Sequence, residues 1–265
     1  MKQRFFLCAI FLLAGALTIF LVTLAKQFLP AERLRMIVAW QYAFLVAVGM
    51  TLALGFFRRF RSRALLEILF TAMLFLGVWF AAFLVLPPAI ALLAAAGLTL
   101  GSIFFRRVWM HDLFSLVGAA GAAINVADWL SPELLLAVLV CFTVYDMVVG
   151  PPGDPIATLA HSLASSGIVP CTLVPSRFAD LRMAVHDAIR KNVAFLGAGD
   201  VLLPLTLVAR AAFYGLLPSL IVLAGLLAGT FVALRRQNLP PRAALPALAA
   251  GTAIPFLALR FFSVI

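Results

Sequence analysis

The amino-acid sequence predicts an all-α membrane protein of nine transmembrane helices. Three observations predict it. Of 265 residues, 65% are hydrophobic and 11% charged, and the mean hydropathy is +1.14; a soluble surface on a chain of this length needs far more charge. Apolar runs close to the ~20 residues that cross ~30 Å of hydrocarbon recur from end to end. Basic residues gather in the short segments between the runs, where they act as topology signals. The net charge of +10 is therefore read as topology, not as a nucleic-acid surface.

The first run, 5–25, follows Lys2 and Arg4. It has the look of a secretory signal, but its apolar stretch runs to about 21 residues, past the 7–15 of such a region, so it is expected to remain as the first span. The other runs are 36–57, 64–86, 88–105, 112–130, 132–150, 193–213, 214–234 and 243–263. Leu86-Pro87-Pro88 marks a tight reversal between the third and fourth. Between the fifth and sixth, Ser131 is placed to cap the next helix, with Pro132 at its first position. Gly and Ala recur in the runs, as expected where helix backbones approach closely in lipid.

Loop charge sets the orientation. With the N-terminus inside, the inner segments hold Lys2, Arg4, Arg58, Arg59, Arg61, Arg63, Arg106, Arg107, Arg177, Arg182, Arg190, Lys191, Arg235, Arg236 and Arg242. The outer ones hold only Lys26, Arg33, Arg35, Arg210 and Arg260. The excess puts the N-terminus in the cytoplasm and the C-terminus outside, as an odd span count requires. The chain then reads as a single polytopic membrane domain, 1–265. Residues 1–150 carry spans one to six, 151–192 form a cytoplasmic loop, and 193–265 carry spans seven to nine. In the loop, GIVPCTLVPS is rich in β-branched residues between prolines and predicts a short extended segment. Phe178, Leu181, Val185 and Ile189 then fall at helical spacing, with Ser176 as cap, and predict an interfacial amphipathic helix.

Two carboxylates lie inside apolar stretches: Asp146 near the inner end of the sixth span and Asp200 about two turns into the seventh. An intramembrane acid is costly and faces a wet cavity or the bundle interior, where it has a function. At 1.5 Å rise per residue the two lie at similar depth in the cytoplasmic half. Gly197 and Gly199 remove side chains that would hold off a neighbouring helix, a substrate backbone or an attacking water. Tyr145, beside Asp146, either packs or holds the adjacent carboxyl by its hydroxyl. Two carboxyl groups at one site suit general acid–base hydrolysis: one takes a proton from water and the other, protonated, donates to the scissile carbonyl. The remaining polar residues have plainer readings. Asp112 and Asp128 lie near span ends and Asp154 in the loop, as solvated carboxylates. Arg210 snorkels to the outer interface. His111, His161 and His186 show no metal spacing. Cys8, Cys141 and Cys171 make neither a disulfide framework nor a zinc site. No metal and no cofactor are expected.

Tyr145-Asp146 on one span, Gly197-Ala198-Gly199-Asp200 on the next and Pro246-Ala247-Leu248 at the start of the last resemble the presenilin and signal peptide peptidase family. The likeness covers essentially the whole chain, including the nine-span layout. It implies an intramembrane aspartyl endopeptidase of the GxGD type, with Asp146 and Asp200 as catalytic pair and Pro246-Ala247-Leu248 shaping the site. Ala198 stands where family members often carry Leu, which changes how substrate side chains fit. The charge-derived orientation is the presenilin one, opposite to that of signal peptide peptidases. The short single chain is most similar to the prokaryotic presenilin homologues, which implies a prokaryotic cell membrane. Its loop lacks a long hydrophobic stretch, so an active uncut chain without obligatory accessory subunits is expected. Expected partners are single-span membrane proteins and lipids. A substrate helix must unwind locally, and it is expected to pair as a strand with the 168–175 segment or with backbone near Pro246. The alternatives are a prepilin-peptidase-like membrane protease, a proton-coupled transporter using the two acids, and a non-catalytic scaffold.

Overall fold

The computed structural model describes residues 2–28, 63–105, 107–149, 171–174, 177–190, 194–235, 244–262 and 264. Within them run α1 (Lys2–Phe28), α2 (Arg63–Phe83), α3 (Pro88–Phe105), α4 (Val108–Trp129), α5 (Pro132–Val149), β1 (Cys171–Val174), a 3-10 turn (Phe178–Arg182), α6 (Val185–Arg190), β2 (Ala194–Gly197), α7 (Ala198–Tyr214), α8 (Leu216–Arg235) and α9 (Ala244–Phe261). Eight of the nine expected spans have a matching helix. The other, 36–57, lies outside the described residues. Five of the described helices are long and apolar enough to cross a membrane by themselves: those at Phe6–Lys26, Pro88–Phe105, Val108–Trp129, Leu216–Ala233 and Ala244–Phe261.

The helix ends follow local chemistry. Pro88 and Pro132 open α3 and α5, where a missing N–H costs nothing. Ser131 Oγ accepts the Leu134 N–H at 3.3 Å, as expected of the cap. Between α7 and α8 the chain reverses through one residue, Gly215, at φ +156° and ψ 175°. That region of backbone space is open in practice only to glycine.

The centre of the bundle is α7. It packs against α1, α4, α5, α8 and α9, and Leu205, Leu207, Val208, Ala209 and Ala211 are completely buried. Around it, two helix pairs approach through glycine. In α2 and α4, a Cβ on Gly121 would strike the Gly77 carbonyl oxygen and come within 2.9 Å of the Ala81 nitrogen. In α8 and α9, Gly225, Gly229 and Gly251 meet backbone directly, Gly229 against the Ala247 carbonyl. Lipid offers no hydrophobic drive to bring helices together, so this close packing stands in for it.

Polar contacts sort the helix ends. Lys26 Nζ donates to the Phe213 carbonyl at 2.6 Å, and Arg210 Nη1 donates to the Ala127 carbonyl at 3.0 Å. The C-terminal ends of α1, α4 and α7 thus share one end of the bundle, each cation beside carbonyls that no helical N–H reaches. An ion pair between Arg260 and Glu133 sets the C-terminus of α9 beside the N-terminus of α5. Asp146 on α5 and the start of α7 consequently lie at the opposite end. Arg210 does not merely snorkel, as expected from sequence. It is half-buried, tied to α4, with its guanidinium 5.6 Å from the centre of the Tyr214 ring.

Gly121→Ala is expected to destabilise the protein by about 1–3 kcal/mol through overpacking. Gly97→Ala, where an added Cβ meets nothing within 4 Å, is expected to leave stability unchanged or raised by up to ~1 kcal/mol. Thermal unfolding of the two purified variants in detergent checks the contrast. Gly215→Ala should cost about 1–3 kcal/mol in the same assay, by backbone strain alone.

Candidate active site

The site is built where the chain switches from strand to helix. The expected seventh span begins at 193, but Ala194–Gly197 is a strand, and helix starts only at Ala198. β1 and β2 pair antiparallel, with Cys171 opposite Gly197, Thr172 opposite Leu196, Leu173 opposite Phe195 and Val174 opposite Ala194. Backbone groups at the membrane boundary must find partners, and the strand at Cys171–Val174 supplies them. Asp200 therefore lies in the first turn of α7, not two turns in. Its Oδ2 accepts the Gly197 N–H at 3.2 Å, and the residue is partly exposed. That position lies among first-turn N–H groups that have no acceptor within the helix.

The other expected site residues converge on the same end. Tyr145 and Asp146 belong to the last turns of α5, which packs against α7; their side chains are outside the described residues. Asp146 precedes the end of α5 by three residues and Asp200 is the third residue of α7. Each is within about 5 Å of its helix end, at the same end of the bundle. Pro246 is the third residue of α9, in the turn where a proline removes no helical hydrogen bond. Ala247 is half-buried with its carbonyl facing Gly229, and Leu248 is completely buried. The helix bearing all three packs against both α5 and α7. Ala198 opens α7. Gly199 is exposed, and a Cβ added there would meet nothing within 4 Å, so space stands beside the acid.

The loop differs from expectation in form. Leu181 and Val185 do face protein, but the expected single amphipathic helix is divided into the 3-10 turn and α6. The break comes where Met183 and Ala184 leave the helix to reach α4. The Val108 N–H donates to the Met183 carbonyl at 3.1 Å, and Arg107 bridges to Ala184. Asp180 accepts the Arg177 N–H at 2.9 Å and so caps the turn; Ser176, the expected cap, lies outside the described residues, as do His161 and Asp154. Phe178 is mostly exposed, yet its ring meets Phe6 of α1 edge-on, with centroids 4.8 Å apart.

One residue read as ordinary proves otherwise. Asp112 is 7% exposed, and its Oδ1 accepts the Leu173 N–H of β1 at 2.8 Å. The expected fifth span starts at Asp112 itself. The helix begins four residues earlier, at Val108, because that turn is docked on the loop. The signal was present in Arg106-Arg107: a carboxylate five residues beyond a basic boundary is already inside the span. His111, its neighbour, is also buried, whereas Asp128 is exposed as expected. Among the described residues, no group of three or more His, Cys, Asp and Glu side chains is placed to hold a metal ion.

Comparison with known proteins agrees with this architecture. Residues 5–265 match the family described as signal-peptide peptidase, presenilin aspartyl protease. No curated protein sequence matches. Two solved structures of a presenilin family intramembrane aspartate protease, in C222 and P2 space groups, share the fold. The first is 21% identical, covers 95% of this chain and 94% of its own, with a TM-score of 0.57. The second is 20% identical, covers 97% and 96%, with a TM-score of 0.56. Neither the prepilin-peptidase reading nor the transporter reading is favoured by these matches. The chain belongs to the signal-peptide peptidase and presenilin family and is an intramembrane aspartyl protease.

Proposed function

We propose that Asp146 and Asp200 are the catalytic pair and that they hydrolyse peptide bonds within single transmembrane helices by activating one water. The observation that carries this reading is placement. Two acids sit within a turn or so of the same end of two helices that pack together, and a third helix bearing Pro246-Ala247-Leu248 packs on both. One carboxylate takes the proton of the attacking water while the other, protonated, donates to the carbonyl oxygen. Tyr145 orients the first acid, and Ala198 and Gly199 border the space for substrate. No metal, cofactor or accessory subunit enters this scheme.

The sheet supports a route for the substrate. Opposite residues in an antiparallel pair either bond each other or both point outward. The Leu173 N–H goes to Asp112, so Phe195, its opposite residue, directs its backbone groups to the outer edge of β2. Gly197 lies two residues on along that edge, and its N–H goes to Asp200. An unwound substrate segment added as a strand to β2 is thereby led to the Asp200 carboxylate. Pairing with β1 itself, as expected from sequence, meets the α4 side of the sheet.

The basic segments favour the cytoplasmic half for this end of the bundle, with the N-terminus inside, the C-terminus outside and 151–192 as a cytoplasmic loop of one 1–265 membrane domain. A prokaryotic cell membrane is the setting that the short segment between the sixth and seventh spans supports.

Cleavage of a single-span substrate by purified protein in detergent, with products weighed by mass spectrometry, tests the proposal. Asp146→Ala and Asp200→Ala should each lower kcat by about a thousandfold or more; a cut that survives either one removes that residue from the pair. In wild type, kcat/KM should follow a bell with pH, its acid limb set by the group that must be ionised and its alkaline limb by the group that must be protonated. Gly199→Ala should leave thermal stability within about 0.5 kcal/mol while lowering kcat/KM roughly five- to hundredfold, since its methyl occupies substrate space.

A further inference from the structure

Asp112 is the one buried acid among the described residues that the catalytic scheme leaves unused. It sits in the second turn of α4, a membrane span, where an ionisable group is retained only for a purpose. Its contact with the loop is directional. By accepting the Leu173 N–H it occupies the side of β1 that faces away from β2. The rest of the α4 N-terminus reinforces this contact. Val108 packs with Leu173, Val185 and Ala188 in a small apolar cluster, and the Val108 N–H holds the Met183 carbonyl. The loop that carries β1 is thus fastened to α4 both before and after the turn, and α4 packs directly on α7.

An edge strand with free N–H groups accepts any extended chain that reaches it. A two-stranded sheet has two such edges, and among the described residues this sheet has two strands. Only the β2 edge leads to Asp200. We propose that Asp112 is a positioning residue that makes the sheet one-sided: it closes the outer edge of β1, so that extended substrate backbone adds at β2 and in one register. The inference rests on the protease reading above and deepens it. The carboxylate acts through an acceptor oxygen, so an amide at this position retains the function and a methyl does not.

Two readouts test it on the full-length protein in detergent with a single-span substrate. In the first, products are mapped by mass. Asp112→Ala should lower kcat/KM roughly tenfold, as expected for loss of one buried hydrogen bond, and spread the cut over neighbouring bonds. Asp112→Asn should keep the wild-type cut position. An unchanged cut pattern in Asp112→Ala overturns the proposal, and so does an Asp112→Asn variant as impaired as Asp112→Ala, which would assign the role to charge. The second readout needs neither an Asp112 variant nor activity. In Asp200→Ala protein, amide exchange is followed at single residues with and without substrate. Substrate should protect the Phe195 amide and leave the already protected Leu173 amide unchanged. Protection gained at Leu173 instead overturns the proposal. Wild-type protein that leaves the substrate whole counts against the protease reading alone, and the exchange result then decides the sheet's edge by itself.

Discussion

The structure depends on one constraint: α7 must be buried on all sides and still begin with a carboxylate that water can reach. Five helices surround it, and its middle turns are closed by Leu205, Leu207, Val208 and Ala209. A charge in those turns would have no partner in hydrocarbon. The chain meets both demands by keeping residues 194–197 out of the helix. As a strand they pair with β1, and helix starts late enough that Asp200 falls in its first turn, partly exposed and bonded to the Gly197 N–H. The strand is thus the device that brings an acid to the mouth of a buried helix.

Four buried threonines of the bundle are satisfied locally. Thr18, Thr99, Thr230 and Thr252 are buried, and each hydroxyl donates to a carbonyl of its own preceding turn. They therefore add no polar surface to the interior. Lys26 and Arg210 reach carbonyls at helix C-terminal ends and remain at one end of the bundle. At the other end collect Asp112, the sheet and Asp200. This separation keeps the apolar middle free of ionisable groups among the described residues of α7, and it sets Asp112 and Asp200 at one end.

Rigidity and openness are divided in the same way. Glycine contacts lock α2 to α4 and α8 to α9, with backbone directly on backbone. The Ala247 carbonyl is held by one of them, at Gly229, so the Pro246-Ala247-Leu248 turn is carried by a helix that cannot shift without a collision. Gly199, by contrast, faces empty space. A fixed frame on one side of the acid and room on the other is the arrangement that a bulky peptide substrate requires.

Much of this was legible in the chain. Hydropathy located every described span to within a few residues, because a run's length is dictated by the bilayer and not by its neighbours. Ser131-Pro132 announced the start of α5, since capping is a matter of adjacent residues. Asp146 and Asp200 stood out because carboxylates are rare in apolar runs, and their shared end followed from counting residues to the helix boundaries. The sequence could not show that Ala194–Gly197 forms a strand, because those residues suit a helix and only the partner at Cys171–Val174 changes the balance. Nor could it show that Asp112 is buried, because its partner is an amide 61 residues away. Composition and periodicity by themselves determined the class, the spans and the two acids, since each is a local response to lipid. Which strand faces α4 and where α7 begins were decided only by tertiary packing, because a backbone hydrogen bond to a distant residue leaves no mark on the local pattern.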